Sequence, residues 1–144
     1  MALDLAPTIA SQETAQKPAP VAGRSGTDVL GRIGNLETRI ARSVSEIDAA
    51  QAVRYRVFAE EMNATLSSDA VRRKRDIDAW DMVCDHLLVL DTTIEGDAEE
   101  QIVGTYRLLR QDVAAGSGGF YSQSEFDVEA LIARHPDKRF MELG

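Results

Sequence analysis

Ile47, Ala50, Val53 and Val57 recur every three or four residues. That spacing puts them on one stripe of an α-helix and on no common face of a strand. Phe58 widens the stripe, and Ser45-Glu46-Ile47-Asp48 stands before it as an N-cap signal. A serine hydroxyl there can accept from the free backbone N–H groups of the first turn. The expected amphipathic helix therefore runs from Ser45 to about Met62.

The segments on either side read as strands. Leu36 to Arg42 alternates apolar and polar residues, the pattern of a half-buried strand. Cys84 to Asp91 reads as a buried strand, Thr92 to Glu100 as a hairpin connection, and Gln101 to Arg110 as its partner. In that partner Val103, Thr105, Arg107 and Leu109 share one face. Asn63 to Val83 is polar and loop-like, with a short helical turn around Ser68 to Arg75. Gln111 to Gly119 is a glycine-containing loop. A shorter helix is expected from Ser124 to Arg134, with Phe126 near its start and Val128, Leu131 and Ile132 buried. Pro136 prevents its continuation. Arg139 to Gly144 looks like a strand beginning. The order strand, helix, loop, hairpin, helix, strand implies an α/β (α+β) sheet flanked by helices. Residues 1–34 hold Pro7, Pro18 and Pro20 with much Ala, Ser and Gly. They read as a flexible leader ahead of one domain over 35–144.

Composition then excludes several classes. The longest apolar run is Leu87-Leu88-Val89-Leu90, far short of the roughly 20 residues of a spanning helix. No secretory signal pattern precedes it. The single cysteine, Cys84, rules out an internal disulfide and a multi-thiolate metal site. These features favour the cytoplasm. A net charge of −8 makes nucleic acid a poor partner. Arg72-Arg73-Lys74-Arg75 is the exception in an acidic chain. It is either a solvated face or a docking patch for an acidic partner.

Arg54-Tyr55-Arg56-Val57-Phe58 lies on the first helix. Asp76-Ile77-Asp78-Ala79-Trp80-Asp81 precedes Cys84-Asp85-His86-Leu87-Leu88-Val89. Gly104-Thr105-Tyr106-Arg107-Leu108-Leu109 follows, then Gly119-Phe120-Tyr121-Ser122 with Glu125-Phe126, and finally Met141-Glu142-Leu143-Gly144. In this order the segments resemble the ornithine N-acyltransferases, the hemolysin-like branch of the GNAT superfamily, from about Leu36 onward. The resemblance implies the N-terminal half of a GNAT-type fold, with a mainly antiparallel sheet. It also implies transfer of a 3-hydroxyacyl group from acyl carrier protein to the α-amine of L-ornithine, giving lyso-ornithine lipid. No further cofactor is expected. A more distant resemblance to acyl-homoserine lactone synthases leaves a different acceptor as an alternative.

Such chemistry makes few demands. The amine must be neutral, and an α-amino group has a pKa near about 7.7–8.0, so a weak base or water relay suffices. Charge developing on the thioester oxygen needs N–H donors. The acceptor's carboxylate and distal ammonium need Arg and acidic groups. Glu142 is the candidate beside the reacting amine; the alternative is a solvated strand end. Arg107, if buried, requires a partner. That partner is either a substrate carboxylate or one of Asp81, Asp85 and Glu142. Arg54 and Phe58 are four apart on one helical face. They are substrate-side candidates, or an ordinary core aromatic with a snorkelling neighbour. Asp76, Asp78 and Asp81 form an acidic loop able to receive a cationic side chain. The glycine and final Glu of a calcium loop are missing, so no metal is expected. Trp80 either closes the acceptor pocket or anchors the loop. Cys84 and His86 are read as structural, because direct transfer needs no covalent intermediate.

The resemblance further implies that a complete domain continues beyond Gly144 into a turn that cradles the donor at a helix N-terminus. Alone, the 144 residues are expected to be inactive and marginally folded. A third reading is a non-catalytic fragment that only docks acyl carrier protein through Arg72 to Arg75. Peripheral contact with the inner membrane is also expected.

Overall fold

The computed structural model describes residues 28–144. Its centre is an antiparallel sheet whose spatial order follows the chain. The strands are β1 (Gly31–Ile33), β2 (Leu36–Ile40), β3 (Asp85–Asp91), β4 (Ile102–Arg110) and β5 (Met141–Leu143). Most of the expected leader, residues 1–27, lies outside the described residues. Its last part does not behave as a leader: β1 pairs with β2 through Gly31↔Thr38 and Ile33↔Leu36. The folded part thus begins before the boundary at 34. Gly34 occupies a left-handed conformation (φ 57°) in the two-residue Gly34-Asn35 connection, a conformation glycine adopts at little steric cost.

Between β2 and β3 runs α1 (Val44–Tyr55), capped by Ser43 rather than by Ser45. Ser43 Oγ accepts from the Glu46 N–H at 3.2 Å. Glu46 is fixed in turn by Arg39, whose Nη1 and Nη2 donate to its carboxylate at 3.0 and 2.5 Å. Both side chains are buried, so strand and helix are locked by a two-pronged charged contact. Beyond Tyr55 the helix does not continue as α. Arg56–Glu61 forms a π-helical turn. Its wider winding rotates the expected stripe away from the core, and Phe58 ends up 38% exposed.

The polar stretch that follows contains α2 (Ser68–Arg73), capped by Ser67, and a 3-10 turn at Ala79–Met82. A short α3 (Ala98–Gln101) sits in the β3–β4 connection. The expected loop after β4 begins as α4 (Gln111–Gly116). The last helix, α5 (Val128–Arg134), starts later than the expected Ser124 because Asp127 caps it, accepting from the Ala130 N–H at 2.9 Å. Tyr121–Ser124 is instead a 3-10 turn. Phe126 and Leu131 are exposed, so only Val128 and Ile132 face inward.

Two apolar clusters hold these layers together. Ala50 and Val53 of α1 pack on Leu88, Leu90 and Ile102. Leu109, Ala114 and Phe120 form the second cluster, with Trp80, Cys84 and Ile132 against it. A bulge beside Leu90 breaks the ladder near Val103. Val103 is therefore 41% exposed and does not share the environment of Leu109. No helix among the described residues is long and apolar enough to cross a membrane.

Candidate functional site

The site is organised from the 3-10 turn upward. Asp78 caps it, accepting from the Trp80 N–H at 2.9 Å, while Asp81 accepts back from the Asp78 N–H at 3.1 Å. This reciprocal box closes the turn on its own hydrogen bonds, with no other element involved. Two guanidiniums then converge on them.

Arg54, buried on α1, donates from Nη2 to both oxygens of Asp81 at 2.8 and 2.9 Å. It also donates to Asp76, from Nε to Oδ2 at 3.0 Å and from Nη2 to the backbone carbonyl at 2.6 Å. Gln51 adds a bond from Nε2 to Asp81 at 3.1 Å. Arg54 is thereby engaged inside the protein. It organises the acidic loop, a role not foreseen in the sequence, and does not snorkel to solvent beside Phe58.

Arg107 reaches the same turn from β4. Its Nη1 donates to Asp78 at 2.6 and 2.7 Å and lies 3.6 Å from Asp81. Burial opposes its charge, but the Asp78 hydrogen bond and the two carboxylates more than offset this and raise its pKa above the ordinary guanidinium value. Asp85, a candidate partner in the sequence, pairs instead with Arg110 at 3.0 Å.

Glu142 sits on β5 opposite Leu109. That register makes Arg107 its diagonal neighbour, about 7–8 Å away between Cα atoms. The Glu142 carboxylate is not a solvated strand end. It accepts the Tyr121 N–H at 2.7 Å and the Ser122 N–H at 2.9 Å, one on each oxygen. A carboxylate has about four lone-pair sites, so acceptor capacity remains on both oxygens. The Tyr121 ring meets Trp80 edge to face, with centroids 5.9 Å apart. A cavity of about 250 Å³ is lined by both rings together with Cys84, Arg107, Glu142 and Gly144. A second hollow of about 330 Å³, beside Gly118, Gly119 and Gln123, contains none of the expected site residues.

Residues 53–144 match the family model described as an acetyltransferase (GNAT) domain. The chain belongs to the GNAT acetyltransferase family. Over 118 residues it is 76% identical to the L-ornithine N(alpha)-acyltransferase of Rhizobium meliloti, a stretch covering 82% of this chain and 40% of that relative. The protein of the same name from Agrobacterium fabrum is 66% identical over 127 residues, covering 88% and 43%. That from Brucella abortus is 49% identical over 116 residues, covering 81% and 41%. The chain thus spans about two-fifths of the length of these curated relatives. No solved structure matches it.

The remaining expected residues of this GNAT chain fall outside the cavity or change character. Phe58 is on the π-helical turn and is not among the cavity-lining residues. Cys84 lines the cavity, but burial pushes its thiol up to about 11, so it is no ready nucleophile. His86 is 2% exposed, its pKa lowered by that burial, with Nε2 3.2 Å from the Asp81 carbonyl oxygen. In the basic run, Arg72 and Arg73 both pair with Asp69, and Arg75 pairs with Asp48 and Gln51. Lys74 terminates α2 in a left-handed conformation, φ 51°. Among the described residues, no three His, Cys, Asp or Glu side chains converge as metal ligands.

Two contributors were not singled out in the sequence. Gln51 sits at helical spacing from Ile47 and Arg54, so a buried polar residue on the apolar stripe was its available signal. The Tyr121 and Ser122 N–H groups had none, because backbone donors carry no residue signature.

Proposed function

We propose that the full-length protein transfers an acyl group to the α-amine of L-ornithine. The supporting observation is the cavity into which Arg107 and the backbone-anchored Glu142 both face. A zwitterionic amino acid presents the complementary pair, a carboxylate for the guanidinium and an amine for the carboxylate. The printed names of the relatives point to the same acceptor. In the reaction, the neutral amine attacks the thioester carbonyl carbon, the carbon–sulfur bond breaks, and the amine proton passes by way of Glu142 or water to the departing thiolate.

The acyl group is proposed to be a 3-hydroxyacyl chain delivered by acyl carrier protein, an acidic partner. Arg72, Arg73 and Lys74 are the exposed cations that would meet it. Arg75 is turned inward to Asp48 and Gln51, and so is removed from that set. The reaction would take place at the cytoplasmic face of the inner membrane, where the product joins the lipid. Because the chain covers about two-fifths of its relatives, the 144 residues alone are proposed to be inactive.

The test is acyl transfer by the full-length protein from a 3-hydroxyacyl carrier protein to ornithine. Arg107→Met should raise the KM for ornithine by about 10- to 100-fold, the loss expected from a charge-assisted contact. Glu142→Gln should lower kcat more than it raises KM. Raising salt should raise the KM for the carrier protein. Unchanged kinetics in both variants would remove the cavity as the acceptor site.

A further inference from the structure

Asp78 and Asp81 both face Arg107, but they are not equivalent. Asp81 is clamped by Arg54, Gln51 and the Asp78 N–H, and its side chain is only 3% exposed. Asp78 has a side chain 40% exposed, and its charged partner is Arg107. Its remaining bond is to the Trp80 N–H, at the cavity wall. One carboxylate is thus enclosed, while the other borders solvent and is held by Arg107 and the Trp80 N–H. With Asp81 3.6 Å away, Arg107 stays anchored if Asp78 leaves.

We infer that Asp78 is a displaceable counter-ion that selects an acceptor with a cationic side chain. This rests on the reading of Arg107 as the clamp for the acceptor's carboxylate. When that carboxylate takes the guanidinium, Asp78 is released. An acceptor bearing a distal ammonium supplies the charge that Asp78 has lost. Four bonds of about 1.5 Å separate the ammonium of ornithine from its Cα, so the chain spans at most about 6 Å. That reach keeps the ammonium near the turn from which Asp78 projects. Two ion pairs replace one, and no carboxylate is left without a partner. An acceptor with an apolar side chain displaces Asp78 and gives it nothing in return.

The probes are L-ornithine and L-norvaline, which share the carboxylate, the amine and three side-chain carbons but differ in the distal ammonium. Dissociation constants are measured calorimetrically on the full-length protein and on its Asp78→Asn variant. Asparagine retains the capping oxygen, so the turn is kept; Asp78→Ser, also a capping residue, serves as the second variant. The wild type should prefer ornithine by about tenfold or more, in the range of a charge-assisted contact. In both variants ornithine should weaken by about that factor. Norvaline should bind as well as before or more tightly, because Arg107 no longer has to be vacated. Opposite or unequal responses of this kind cannot come from general damage to the turn. A preference ratio unchanged by both variants, including equal weakening of the two ligands, would overturn the inference and leave the Arg107 clamp standing. Norvaline and ornithine binding that are both unaffected by Arg107→Met would remove the clamp itself, and this inference with it.

Discussion

Replacing Asp81 by Asn tests the claim that the site is built on a buried charge network. The substitution keeps size and shape but removes the charge that holds Arg54 through Nη2 at 2.8 and 2.9 Å. Breaking a buried pair by removing one partner costs about 3–5 kcal/mol. Here Arg54 retains Asp76, bonded at 2.6 and 3.0 Å, so part of its charge remains matched. The Asn amide must also place a donor against Gln51 or Arg54. A loss of about 2–3 kcal/mol follows, the upper range for hydrogen bonds to charged groups. With a urea m-value of about 1–3 kcal/mol per molar, the midpoint should fall by roughly 0.7–3 M. Trp80, the single tryptophan of the 144 residues, is next to the substituted position and reports unfolding by its fluorescence. An Arg54→Met/Asp81→Asn double variant should recover part of the loss, since it removes the stranded cation. A midpoint shift below about 0.3 M, or losses that simply add in the double variant, would refute the network as an organising element.

Two other perturbations address the remaining buried groups. In the fold, the Arg39 hydrogen bond lowers the Glu46 carboxyl below its ordinary value of 4.5, against the opposing effect of burial. Its contribution is therefore complete above that pH and is lost as pH falls through the folded value. Urea midpoints across pH 3–7 should drop on the acid side, and Glu46→Gln should flatten that drop while lowering the plateau. For Cys84, a thiol raised from 9.0 to about 11 carries about a hundredfold less thiolate near neutral pH. Alkylation by iodoacetamide at pH 8 should be slower by about that factor than for an unburied thiol, and should accelerate as the pH rises. A rate equal to that of a cysteine peptide would contradict the burial.

The elements that were legible in the sequence are those whose period is carried by side chains of one kind. Cys84 to Asp91 read correctly as a strand because its apolar residues are crowded between two neighbours. The cap of α1 lies two residues before the expected one because Ser43 and Ser45 are both capping residues. Only the position of Glu46, which must reach Arg39 as well as the helix end, decides between them. Phe58 leaves the expected apolar stripe because a π-helical turn shifts the register after Tyr55. The i→i+5 bond from the Met62 N–H to the Val57 carbonyl that marks it leaves no trace in residue type. β1 was missed inside the supposed leader although Gly34-Asn35 is a hairpin signal, since three residues are too few to show alternation.

For the site, the sequence by itself determined the inventory: two arginines, three aspartates and a glutamate, each on an element whose type could be read. It did not determine who pairs with whom. Residues as far apart as Arg54 and Asp81, or Ser122 and Glu142, meet only after the sheet is assembled. A carboxylate's role depends on which donors surround it. Tertiary structure therefore decided that Asp76 and Asp81 are held by Arg54, and that Glu142 is anchored by backbone N–H groups. It also decided that Arg107, on the cavity wall, is paired with Asp78. The physical reason is that helical and strand periods are local properties of the chain. Charge pairing is set by distances and burial that arise only from packing.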